Sequence, residues 1–254
     1  MTDLGATDGP LEPVVPPRIA RLEGLQQPPR RRELRRLAAA GRSIIEHLVS
    51  TTASIDQLTE TADALEHLDD LLAALPREKP YEGFSEAANA GESMKALHGL
   101  SESGDVDPEL WASFDHSPLI GLANPLSPPM VLSVEPHRVL ATATFGSAYE
   151  GPPGCVHGGY IAAAFDELLG ATQSLSGTQG MTARLTVNYR SPTPLHEELR
   201  FEGVVSRRDG RKIFCDGRLF VGDRLCAESE GLFISMDPTK FRAMLAERAD
   251  RFEG

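Results

Sequence analysis

The sequence predicts an α+β fold, an antiparallel sheet wrapped around one central helix. Three observations predict it. A single apolar-faced helix, opening near Val156, lies among strand-like segments rather than among other helices. Four strand-like runs follow it, separated by short connections. Asp209-Gly210 and Gly222-Asp223 stand between the last three of those runs, and such pairs make the tight turns of hairpins. Hairpins give antiparallel neighbours, and a lone helix covers one face of the sheet they form.

The chain divides as follows. Residues 1–29 are proline-rich (Pro10, Pro13, Pro16, Pro17, Pro28, Pro29) and lack hydrophobic periodicity, which predicts a disordered segment. Residues 30–76 predict a helical hairpin. Leu34, Leu37, Ala38, Gly41, Ile44, Ile45 and Leu48 make one apolar stripe. After a break at Ser50-Thr51-Thr52, Ile55, Leu58, Ala62, Leu65, Leu68, Leu72 and Leu75 make another. Ser54 and Gln57 have the spacing of a capping box, and Pro76 ends the second helix. Arg30, Arg31, Arg32, Arg35 and Arg36 open the first helix, whereas Glu66, Asp69 and Asp70 close the second, so a hairpin would set opposite charges face to face. Residues 77–117 have the glycine and proline content of a loop-rich connector. The core domain occupies 118–236, with strands expected at 130–135, 138–146, Thr182–Tyr189, Leu199–Ser206, Arg211–Phe220 and Arg224–Met236. In the third strand Leu185, Val187 and Tyr189 fall on one face, Arg184, Thr186 and Asn188 on the other. Residues 237–254 close the chain with a short helix, Pro238–Phe252.

Composition narrows the function classes. The 254 residues are 41% hydrophobic and 24% charged, as in ordinary soluble domains. A net charge of −12 argues against nucleic-acid binding, whose footprint is basic, and the acidic second helix would repel phosphate. No apolar run reaches the ~20 residues of a transmembrane helix. Asp3, Asp8 and prolines stand where a secretory signal would be basic and then apolar. Cys155, Cys215 and Cys226 have no metal-ligand spacing, so a cytoplasmic protein with buried thiols and no metal is expected.

The chemistry concentrates at Val156-His157-Gly158-Gly159-Tyr160 and the helix it opens. Ile161, Phe165, Leu168 and Leu169 share one face of that helix. Two glycines at its start bare the backbone, so unpaired N–H groups and the positive end of the dipole point at whatever binds there. An oxyanion or a polarised carbonyl suits such a place. Asp166 follows two turns later among apolar neighbours, where a carboxylate is costly without a partner or a task. Gly158 and Asp166 are eight residues apart, roughly 12 Å along a helix, too far to touch one reacting carbonyl. If they cooperate, the amide of one subunit meets the carboxylate of another across a two-fold axis.

That order of elements and residues resembles the hotdog-fold acyl-CoA thioesterases of the PaaI type, most closely the thioesterase superfamily member 4 branch, over about residues 118–236. His157-Gly158-Gly159 is similar to the family's loop-to-helix motif, and Asp166 stands at the spacing of its catalytic acid. Gly180-Met181-Thr182-Ala183-Arg184-Leu185-Thr186-Val187-Asn188-Tyr189-Arg190-Ser191-Pro192 resembles the strand that follows, Thr182 taking the place of the assisting hydroxyl seven residues before the tyrosine. One departure stands out. Some relatives carry an Asn six residues before the histidine, and this chain has Gly151. The resemblance does not extend to the first 117 residues.

The resemblance implies roles. The Gly158 amide would polarise the thioester carbonyl, with Gly159 letting the helix start close to the substrate. Asp166 would act as general base on water or attack the carbonyl itself. Thr182 would orient the water or Asp166, and His157 would fix the loop or line the pocket. Arg190, Arg207, Arg208, Arg211 and Lys212 are candidates for the phosphates of coenzyme A. No cofactor is implied. The expected activity is hydrolysis of medium- to long-chain fatty acyl-CoA by a homodimer or dimer of dimers. The alternative is a non-catalytic acyl-CoA sensor or scaffold on the same fold. A hotdog hydratase fits poorly, since its Asp and His five residues apart are not found.

Overall fold

A computed structural model describes residues 29–76, 115–178 and 180–235. The expected disordered segment, most of the connector and the closing helix at 238–252 lie outside the described residues. Two helices, α1 (Pro29–Ser50) and α2 (Ile55–Ala73), precede the core. The core runs β1 (Val131–Val134), β2 (Arg138–Thr144), α3 (Gly158–Gln173), β3 (Gly180–Tyr189), β4 (Glu198–Asp209), β5 (Lys212–Val221) and β6 (Arg224–Ser235). All six expected strands are present in one antiparallel sheet of order β1-β2-β4-β5-β6-β3. Gly210 and Gly222 take positive φ at the two hairpin turns, as their sequence signals predict.

Alternation fixes which face is core. Along β5, Ile213, Cys215, Gly217, Leu219 and Val221 are buried, and the intervening residues turn to the other face. α3 lies across the buried face and meets every strand, inserting Ile161, Phe165, Leu168 and Leu169. Gly203 and Gly217, partners in the β4–β5 register, sit directly beneath it. A Cβ at Gly217 would stand 3.0 Å from the Phe165 ring, and one at Gly203 would strike Thr172 Oγ1 and lie 3.2 Å from Leu168. The missing side chains let the helix settle against the sheet.

The extension departs from expectation. The capping box forms, with Ser54 N donating to Gln57 Oε1 (3.0 Å) and Gln57 N to Ser54 Oγ (3.4 Å). The two helices, however, do not set their charges against each other. Arg31 and Arg35 turn inward onto buried Asp115, Arg35 with Nη2 2.6 Å and Nε 3.0 Å from Oδ1. A desolvated carboxylate outbids exposed ones for a guanidinium. α1 packs Ala38 and Gly41 onto the core domain, Gly41 against Pro125. α2 buries no residue, and Ile55, Leu58, Leu71 and Leu75 remain exposed. Among the described residues no helix is long and apolar enough to cross a membrane.

Candidate active site

The site is built where α3 begins. Bridges Glu150↔Val156 and Cys155↔Pro194 close the preceding loop, with Gly154 at positive φ. His157 is the N-cap, in extended conformation. Its Nδ1 accepts from Gly159 N at 3.0 Å, and its carbonyl takes Tyr160 N and Ile161 N. The Gly158 amide has no acceptor among the described residues. It is therefore a free donor at the positive end of a helix dipole. The Gly158 carbonyl accepts from Tyr189 Oη at 2.7 Å, which ties the first turn to β3. Nothing in the sequence beyond its place in the strand motif pointed to that role for Tyr189.

Asp166 departs from the buried position expected of it. Within the single chain it is exposed, on the flank of α3 that leaves the sheet, because the buried stripe runs through Ile161, Phe165 and Leu168. Its Oδ1 accepts from Thr182 Oγ1 at 2.9 Å. A bulge makes that bond possible. The register with β6 shifts between Thr182 and Arg184, leaving Ala183 as the extra residue. Strict alternation would put Thr182 on the outer face with Arg184 and Thr186. The bulge returns it to the helix face, opposite buried Phe233.

Glu167, which no sequence signal singles out, is the perturbed carboxyl of the two. Burial above all, and then the charge of Asp166, push it from 4.5 up to about 7, against the pull of the Ser117 hydroxyl at 3.5 Å.

Gly151 closes up on His157: a Cβ there would lie 2.8 Å from His157 Cα. The asparagine of some relatives has no room in this loop. Cys215 and Cys226 are buried as expected, and burial pushes the Cys215 thiol up to about 12.

The candidate cations do not converge. Arg190 pairs with Glu228 at 2.8 Å, and Arg207 lies 4.1 Å over the Phe214 ring on the outer face. Arg208 donates to Ser176 O, and Arg211 to Ser235 O. With Lys212, these three surround the β4–β5 turn, near the C-terminal end of α3. Among the described residues no cluster of side chains fits a metal ion.

Fold and site together define a hotdog domain with a bare helix N-terminus and an exposed, hydroxyl-bonded carboxylate on one helix. A family model described as Thioesterase superfamily matches residues 153–228, which include both features. The crystal structure of a thioesterase superfamily protein is 31% identical with a TM-score of 0.62, covering 79% of this chain and 94% of that one. The chain belongs to the thioesterase superfamily. Among curated proteins it is similar to acyl-coenzyme A thioesterase THEM4 of Bos taurus, 37% identical over 97 residues, which is 37% of this chain and 40% of that protein. The Xenopus laevis protein of the same name is 39% identical over 95 residues, 37% of this chain and 43% of that protein. The chain thus spans less than half the length of these curated relatives.

Proposed function

We propose that the protein is an acyl-CoA thioesterase that releases medium- to long-chain fatty acids. The observation that carries this reading is the presence, on one helix, of a free Gly158 amide and an exposed Asp166 that Thr182 of β3 hydrogen-bonds. The name of its curated relatives supports the substrate class. Gly158 and Asp166 are too far apart for one carbonyl, so two chains supply one site. β3 lies at the sheet edge beside Asp166, with Met181 and Tyr189 exposed, and an unpaired edge of this kind suits pairing with a second copy.

In the reaction, Asp166 accepts a proton from a water that Thr182 helps to orient. The oxygen attacks the thioester carbonyl carbon, and the partner's Gly158 amide holds the developing oxyanion. Collapse breaks the carbon–sulfur bond. Coenzyme A leaves as thiolate and takes up the proton. Direct attack by Asp166, through a mixed anhydride that water then cleaves, reaches the same products. Arg208, Arg211 and Lys212, which flank one turn and make no ion pair with an acid among the described residues, are assigned to the coenzyme A phosphates. Three free cysteines suit a reducing compartment, and we assign the protein to the cytoplasm.

Hydrolysis measured across an acyl-CoA length series, with Asp166→Asn in parallel, tests the reading. The variant should keep its melting temperature and lose about a hundredfold or more in kcat. Unchanged turnover in a folded Asp166→Asn protein rules that residue out. Tight acyl-CoA binding by the wild type without turnover moves the assignment to the non-catalytic sensor.

A further inference from the structure

The α1 helix, which lies outside the stretch that the sequence resemblance covers, reaches the candidate site through one carboxylate. Glu46 Oε1 accepts from Ser147 N at 3.1 Å, and Oε2 from Ala148 N at 3.4 Å. These are the first amides of the 3₁₀ turn Ser147–Tyr149, whose own N-cap residue, Gly146, supplies no side chain to them. Glu46 therefore caps the turn from a helix about a hundred residues away in sequence. Its surroundings favour the anion: the Ser147 hydroxyl above all, with the Ser147 and Ala148 amides and His196, holds the carboxyl below its usual range against the opposing effect of burial. His196 Nε2 lies 3.0 Å from Ser147 Oγ and 3.9 Å from Glu46 Oε1. Gly146 makes the approach possible, since a Cβ there would collide with Glu46 Oε2.

The capped turn leads directly to the oxyanion donor. Its last residue, Tyr149, accepts at its carbonyl from His157 N at 2.8 Å. The Tyr149 ring meets Tyr160 edge-on at 4.8 Å and Phe145 at 5.2 Å, and its hydroxyl donates to Leu126 O. His157 is the residue before Gly158. Four links thus run from α1 to the free amide: Glu46, the Ser147–Ala148 amides, the Tyr149 carbonyl and His157.

We propose that Glu46 is a positioning residue for thioester hydrolysis, and that through it α1 sets where the Gly158 amide points. The inference rests on the thioesterase reading for its kinetic consequence and on the hydrogen-bond chain alone for its structural one. Loss of the carboxylate frees the turn, and a displacement of about 1 Å at the amide costs up to a hundredfold in rate.

The test compares wild type, Glu46→Ala, Glu46→Gln and Gly146→Ala in the full chain. Each is followed by thioester kinetics, thermal melting, and hydrogen exchange resolved to residues 147–160. Glu46→Ala should lower kcat about ten- to a hundredfold with KM changed about threefold at most, and should speed exchange at Ser147, Ala148 and His157. Glu46→Gln keeps an acceptor oxygen and should recover most of the loss. Gly146→Ala, with every polar group in place, should reproduce it. A folded Glu46→Ala protein with wild-type kcat and unchanged exchange overturns the proposal. A Glu46→Gln protein as impaired as Glu46→Ala overturns it in favour of a purely ionic contact. Wild type without turnover, together with faster exchange in Glu46→Ala, sinks the thioesterase reading and leaves the brace standing.

Discussion

Asp166 and Glu167 are neighbours in sequence with opposite surroundings. Asp166 meets solvent and Thr182, whereas Glu167 is enclosed, with the Ser117 hydroxyl 3.5 Å away. A carboxyl so placed binds its proton more tightly when the chain is folded. Its value rises from 4.5 to about 7, so between those limits the folded state holds more proton than the unfolded one. The stability it contributes is complete below about pH 4.5 and is lost as pH rises through 7. Glu167→Gln removes that dependence. The variant should melt close to wild type at pH 4.5 and above it at pH 8, by at most about 3 kcal/mol in stability. Melting curves at both pH values check this, and identical pH slopes would show that Glu167 is not held neutral. The sequence sets Asp166 among apolar neighbours and so predicts its burial, whereas the structure encloses its neighbour Glu167 instead. Apolar neighbours on a helix say little about a residue that sits at the edge of the buried stripe.

At the scale of elements, strand alternation is a reliable guide until a bulge interrupts it. The pattern of Leu185, Val187 and Tyr189 against Arg184, Thr186 and Asn188 was readable, and extending it would have placed Thr182 with the outward residues. Ala183, the extra residue of the bulge, reverses that. No side-chain pattern announces it, and Thr182 was found only through the resemblance of the whole strand. Deleting Ala183 makes Thr182 and Arg184 consecutive and leaves Thr182 opposite Phe233 on the helix face, so that variant should keep most of its kcat, whereas Thr182→Val should lose about ten- to a hundredfold. Kinetics of the two variants, with circular dichroism to confirm folding, decide it; a folded Thr182→Val protein with wild-type kcat would mean that the hydroxyl is dispensable. The glycines beneath α3 carry a stability prediction instead. A Cβ at Gly217 would meet Ser229 Oγ at 2.5 Å and the Phe165 ring at 3.0 Å. Gly217→Val should cost about 1–3 kcal/mol or more, read as a lower melting temperature. Equal melting would show that α3 can move off the sheet freely.

For the molecule as a whole, the legible part was the core domain, whose strands and turns follow local rules. The attachment of α1 was not legible, because it depends on contacts 80 and about 100 residues distant in sequence: Arg35 with Asp115, Glu46 with Ser147. Charge counting pointed the arginines at α2, while a single buried aspartate claimed two of them. The spacing of Gly158 and Asp166, by contrast, speaks to assembly directly. If each site takes its amide from one chain and its carboxylate from the other, two dead variants can rescue each other. Gly158→Pro removes the amide hydrogen at the first helical position, where proline is well tolerated, and Asp166→Asn removes the base. Each homodimer then lacks an intact site. A heterodimer joins the sound Gly158 of one chain to the sound Asp166 of the other, and random assortment of equal amounts should restore about a quarter of wild-type activity. Mixing under subunit exchange, with sedimentation to confirm dimers, measures it. A dimeric mixture that stays inactive would place both groups of each site in one chain, and the two-fold site would fall with it.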